Sequence, residues 1–405
     1  MQQILAQIQQ MMSTPGGGPV NWDLARQVAA QTLTAAGDPA VTAQDQQTVA
    51  DVIRLADLWL EPVCDLPSGI HTTVAWNRNE WVFHTLDIWK KLCDPVAERM
   101  VGAMGDLVPE EAQAQFAPVK AMMATVGGAM FGGQLGQALG TLGAEVLSAG
   151  DIGLPLGPAG TAALIPANIA AYGEGLELPA DEVRLYVALR EAAHQRLFEH
   201  VPWLRGHVLN AVETYAAGIT VDRDAIEEAM SGVNPADPAS LQGLELSGVF
   251  GNGDSPQQRA ALARLETALA LVDGWVCHVV DLAVEGRLTS VSKLSEAFRR
   301  RRATGGPAEQ TFAALVGLEL RPRRLREAAA LWAALTEHRG TAGRDAVWGH
   351  PDLLPSEDDF ADPVAFATAS TELTDLGDLD AFLNPPTSDD PAAPDKEDEP
   401  PAKSE

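Results

Sequence analysis

Apolar residues recur at three- and four-residue spacing along most of this chain, the period of a helix with one buried face, and strand-like alternation is nearly absent. NWDLARQVAAQTLTAAG, VTAQDQQTVADVIRLADLWLEPV and NEWVFHTLDIWKKLCDPVAERMVGAM all carry the pattern, and Gly37 closes the first. Two short stretches predict strands: SGIHTTVAW around Val74, and GLELPADE ahead of the helix that holds the chemistry discussed below. The fold predicted is mainly α with little β structure.

Residues 121–149 predict a Gly-rich core helix. Its first part, AMMATVGGAMFGGQLGQALGTLGA, has no charge, and Gly128, Gly132, Gly136 and Gly140 recur at every fourth position. Such a row makes a smooth face that another backbone can approach closely. The length would span a bilayer, but Gln134, Gln137, the few large aliphatic residues and the lack of a basic flank favour a core helix. The N-terminus, MQQILAQIQQMM, reads as an amphipathic helix rather than a signal peptide. GDIGLPLGPAGTAALIPANIAAYGEGLELP reads as a Gly/Pro-rich loop, and its glycines match neither a dinucleotide nor a phosphate-loop fingerprint.

Residues 1–355 are expected to form one helical domain and residues 356–405 an acidic, disordered tail. The end, NPPTSDDPAAPDKEDEPPAKSE, has no apolar anchor to offset the entropy of ordering. The 28 basic and 56 acidic residues give a net charge of −28, a field that repels nucleic acid and anionic lipid. Cys64, Cys93 and Cys277 are too few and too scattered for a disulfide framework, which fits a reducing cytoplasm.

A helix over about 180–200 carries LREAAHQRLFEH. At 100° per residue Val183, Val187, Leu197 and Phe198 form an apolar stripe, and Arg190, Glu191 and His194 fall within it. Ionisable groups on an apolar face are either a satisfied internal network or a site. The spacing is that of a zinc-binding His-Glu-x-x-His helix with Arg190 in place of the first histidine. His200 has the spacing of a third ligand, but Leu197 stands where a helix-ending glycine would be needed to swing it back. A second helix over about 255–285 puts Asp273, Cys277 and Val280 on one face, with His278 turned away. Asp273 could be a late carboxylate ligand or the acceptor of a guanidinium. For Cys277 a buried, inert thiol is the expectation.

REAAHQRLFEHVPWLRGHV, ALALVDGWVCHVVD, LVGLELRPRRLREAAALW and VWGHPDLLPSEDDFADP together resemble the zincin-like metallopeptidase family, from Val20 to about Pro363. Members associated with deazaflavin cofactor biosynthesis keep a full His-Glu-x-x-His before a Phe and a VPWLR segment; here the first histidine is Arg190. The later helix of the family offers a Glu-Gly pair, and this chain has Asp273-Gly274. The resemblance implies a metallopeptidase or amidase, with Zn²⁺ held by His194, Asp273 and a third group, Glu191 as general base, Arg190 stabilising the oxyanion, and a peptide or amide substrate. The alternative is an inactive scaffold in which Arg190 replaces the metal by pairing with Glu191 or Asp273.

The arginine runs Arg299–Arg302 and Arg321–Arg326 are expected to pair with the chain's own acids. His71, His84 and His207 have no second ligand one turn away, and Trp203 and Trp275 are expected to pack between the two candidate helices.

Overall fold

The computed structural model describes residues 18–105, 113–217, 256–303 and 324–369. The expected N-terminal helix, the tail beyond residue 369 and the arginines at 321–323 lie outside the described residues.

Helix α1 (Trp22–Ala36) begins at Asn21, whose side chain accepts the Leu24 N–H. Helix α2 (Ala43–Leu60) begins with a reciprocal cap between Thr42 and Asp45. Strand β1 (Thr72–Ala75), helix α3 (Arg78–Gly105) and the Gly-rich helix α4 (Gln113–Gly143) follow. Then come β2 (Thr161–Leu164), α5 (Pro166–Glu174), α6 (Ala180–His200), α7 (Pro202–Ala217), α8 (Pro256–Val284), α9 (Val291–Ala303) and α10 (Leu325–Asp345). Short turns lead to α11 (Pro363–Thr368), and the compact unit runs to Ala367.

The architecture is helical, as the periodicity predicts. The glycine row also does what its pattern predicts. A Cβ on Gly132 or Gly136 would collide with the main-chain oxygens of Asn21 and Ala25, and one on Gly140 would lie 2.7 Å from Thr32 Cβ. Helix α1 therefore crosses α4 at backbone distance, and the row is an intramolecular packing surface.

The strands depart from expectation in one place. SGIHTTVAW supplies β1, but GLELPADE is a turn leading into α6; the partner strand is Thr161–Leu164, inside the Gly/Pro-rich stretch read as loop. β1 and β2 pair in parallel, Thr72 opposite Thr161. Leu147–Ala149 lies antiparallel on the other edge of β2, with Ala149 N–H donating to Ala163 O at 3.0 Å and Ile165 N–H to Leu147 O at 2.9 Å. Four-residue strands carry too little alternation to stand out among glycines and prolines, and pairing partners distant in sequence define them.

Helix α6 is central: α2 packs along it, α8 crosses it, and β2 lies beside it. A single apolar stripe was expected, yet every residue from Leu185 to Phe198 is buried. Several of its polar residues are met by neighbours; fully buried Arg196, for example, contacts Asp57 at 2.7 Å and Glu61 at 2.8 Å. Helix α8 is, among the described residues, the one helix long and apolar enough to cross a membrane, and most of that stretch is buried inside the protein.

Candidate functional site

Arg190, Glu191 and His194 project from the middle of α6, and Asp273 and Cys277 from the facing turn of α8. Gly274 makes this approach possible from behind: a Cβ there would lie 2.7 Å from Ala328 Cβ, so α10 presses directly on α8. All the ionisable members are enclosed, with Arg190 4%, Glu191 0%, His194 0% and Asp273 3% exposed.

The Arg190 guanidinium forks. Nη2 donates to Asp273 Oδ1 at 3.2 Å, and Nη1 donates to Cys277 Sγ at 3.2 Å. Its carbon lies 5.2 Å from the Phe298 ring centre on α9, in cation–π geometry. Burial opposes this charge, but the Cys277 sulfur and the Asp273 carboxylate outweigh it and hold the guanidinium charged above its ordinary value. Burial pushes the Cys277 thiol up, opposed by the Arg190 guanidinium beside it.

His194 Nε2 lies 3.9 Å from the same Asp273 Oδ1, and its ring stacks on Phe198 at 5.8 Å between centres. Glu191 does not face Arg190. Its Oε2 accepts the Gly150 N–H at 2.8 Å, and its Oε1 accepts from Gln195 Nε2 at 2.9 Å. Burial raises the Glu191 carboxyl above its usual range, opposed by bonds from Ser148, Gln195 and the backbone. The segment at Gly150 closes over the motif, since a Cβ there would lie 3.1 Å from both Glu191 Oε2 and His194 Cβ.

Four sequence-predicted residues thus come together, with one division. Arg190, His194 and Asp273 form one cluster, and Glu191 belongs to a second that ties α6 to the Gly150 segment. Of the two acceptors open to Arg190, Asp273 takes the guanidinium and Glu191 does not, because residues adjacent on a helix point about 100° apart. Sequence reading missed Ser148, Gly150, Gln195 and Phe298. Only Gln195, one turn after Glu191, carried a local signal.

The other singled-out residues have separate partners. His200 Nε2 contacts Ser68 O at 3.3 Å, His71 Nε2 lies 3.8 Å from Glu199, and His84 stacks on Trp76. His278 bonds Thr336 Oγ1 at 2.7 Å. Trp203 donates to Trp348 O at 2.9 Å, just after α10, and Trp275 to Asp345, the last residue of α10, at 2.7 Å. Arg299 and Arg300 reach Glu296, Arg301 reaches Asp151 at 2.9 Å, and Arg324 reaches Glu327 and Glu357.

Do these residues fit zinc? Two ligands at about 2.0–2.1 Å on a tetrahedral ion sit about 3.3 Å apart, so His194 and Asp273 at 3.9 Å are close enough to share one. A guanidinium has no lone pair to offer, however, and the Arg190 guanidinium already holds Asp273 Oδ1, the oxygen that faces His194. Among the described residues no group of three His, Cys, Asp or Glu side chains is arranged to hold a metal ion. The donor set does not fit zinc.

A family model described as zincin-like metallopeptidase matches residues 20–367. Among solved structures, the chain is similar to one from Chloroflexus aurantiacus described as "a putative hydrolase with a novel fold". The two share 21% identity, with a TM-score of 0.62 over 86% of this chain and 97% of that one. No curated protein matches the chain.

Proposed function

This chain belongs to the zincin-like metallopeptidase family, and from that premise we propose that it is a member that has exchanged its metal for a side-chain cation and serves as a non-hydrolytic scaffold. The observation that carries this reading is the buried contact of Arg190 Nη2 with Asp273 Oδ1 at 3.2 Å, made by the residue that replaces the first histidine of the motif. A fixed cation meets the carboxylate, so the cluster is neutralised by the chain itself. A dication placed beside it would be repelled.

Glu191 supports the same reading. Both oxygens of Glu191 accept hydrogen bonds, from the Gly150 N–H and from Gln195 Nε2, so its carboxylate is turned to the Gly150 segment rather than to the Arg190–Asp273 pair. The residue that corresponds to the family's base acts here as a tie between α6 and the segment antiparallel to β2.

The test is metal dependence. Protein purified without chelator should contain far less than one zinc per chain by mass spectrometry, and its melting temperature should not move on adding a chelator. Stoichiometric zinc, together with a chelator-induced fall in melting temperature and peptide hydrolysis lost in Glu191→Gln, would overturn the proposal in favour of a hydrolase.

A further inference from the structure

A concavity of about 550 Å³ opens between α7, the first turns of α8 and the segment after α10. It lies away from the motif cluster, and its size is within the roughly 300–1,000 Å³ of small-ligand sites. The two helices contribute His207 and Arg264, the later segment contributes Asp352 and Glu357, and Ala263 and Leu354 supply apolar wall between them.

The charges differ in how they are satisfied. Glu357 is engaged by Arg324 at 3.3 Å. Asp352 is 88% exposed at its side chain and meets only the His350 imidazole, at 3.4 Å, among the described residues. Arg264 is exposed, and among the described residues no carboxylate lies within ion-pair distance of it. Burial and the neighbouring Arg264 push the His207 imidazole below its ordinary value, leaving a neutral hydrogen-bonding group beside the guanidinium. A single concavity therefore presents one unmatched cation and one lightly matched anion, with apolar residues lining it beside them.

A guanidinium binds a carboxylate through two parallel N–H bonds, and an exposed aspartate accepts an ammonium. A plain anion would satisfy Arg264 but would be opposed by Asp352 and by the net charge of −28. A plain cation would leave Arg264 unmet. We propose that this concavity is a binding site for a short zwitterionic peptide, with its carboxylate on Arg264 and its ammonium on Asp352. The site is independent of whether the motif helix is catalytic.

Isothermal titration of the full chain with Ala-Ala, N-acetyl-Ala-Ala and Ala-Ala-amide tests it. Ala-Ala should bind in the millimolar range and about two- to five-fold tighter than either capped form, as expected for one exposed ion pair gained at each end. Arg264→Gln should bring Ala-Ala level with its amide, and Asp352→Asn should bring it level with the acetylated form. Arg259→Gln, exposed on the same helix but outside the concavity, should change nothing. No saturable heat with Ala-Ala, equal binding of all three probes, or undiminished Ala-Ala binding in Arg264→Gln would overturn the proposal.

Discussion

Arg190→Met deletes one charge of the buried pair while keeping much of the aliphatic stem. At 3.2 Å and an effective dielectric constant of about 20, the attraction lost is about 5 kcal/mol in gross terms. The intact pair is worth far less than this, because both charges were taken out of water to form it. Removing one partner is costly for a different reason: Asp273, 3% exposed, would keep its desolvation penalty and lose its cation. Such a stranded buried charge costs about 3–5 kcal/mol, and the lost guanidinium over Phe298 adds up to about 1 kcal/mol. Arg190→Met should therefore lower the unfolding free energy by about 3–5 kcal/mol, read by urea denaturation at neutral pH with circular dichroism. The double variant Arg190→Met/Asp273→Leu removes both charges and should recover to within about 1 kcal/mol of the parent chain. A single variant that loses less than about 1 kcal/mol, or a double variant no better than the single, would refute this account of the cluster.

Two further outcomes follow from the packing. Burial, with a smaller contribution from Arg344, depresses the His278 imidazole to about 4, whereas the unfolded chain titrates near 6.5. Between those values the unfolded state binds more protons, so stability should fall as pH drops from about 6.5 toward 4, by on the order of 2–3 kcal/mol. His278→Gln should flatten that part of the stability profile measured by urea titration at several pH values, and an unchanged slope would exclude His278 as its source. Gly136→Val would drive a side chain into the Ala25 carbonyl and Val28, so thermal unfolding should show a loss of at least about 1–3 kcal/mol; Gly133→Ala, where a Cβ meets nothing within 4 Å, should be neutral or slightly stabilising.

Helical class, both candidate helices and the smooth glycine face were legible in the residues alone. Each of these is local: a 3.6-residue period, a helix-closing glycine such as Gly37, or a four-residue glycine row is written within a few turns. Helical offsets also placed Arg190, Glu191 and His194 on one helix face and left Asp273 as either a late carboxylate ligand or the acceptor of a guanidinium. Which acceptor met which donor depended on how the helices packed. Glu191 and Asp273 were equal candidates for the guanidinium until α8 came to lie against the Arg190 side of α6 and Gly150 against the Glu191 side. Strand β2 was equally hidden, because Thr161–Leu164 becomes a strand through partners at Thr72–Ala75 and Leu147–Ala149 rather than through its own alternation. Local order follows from short-range sterics written in neighbouring residues, whereas the pairing of buried charges depends on which distant helices share a core and what each has left to satisfy.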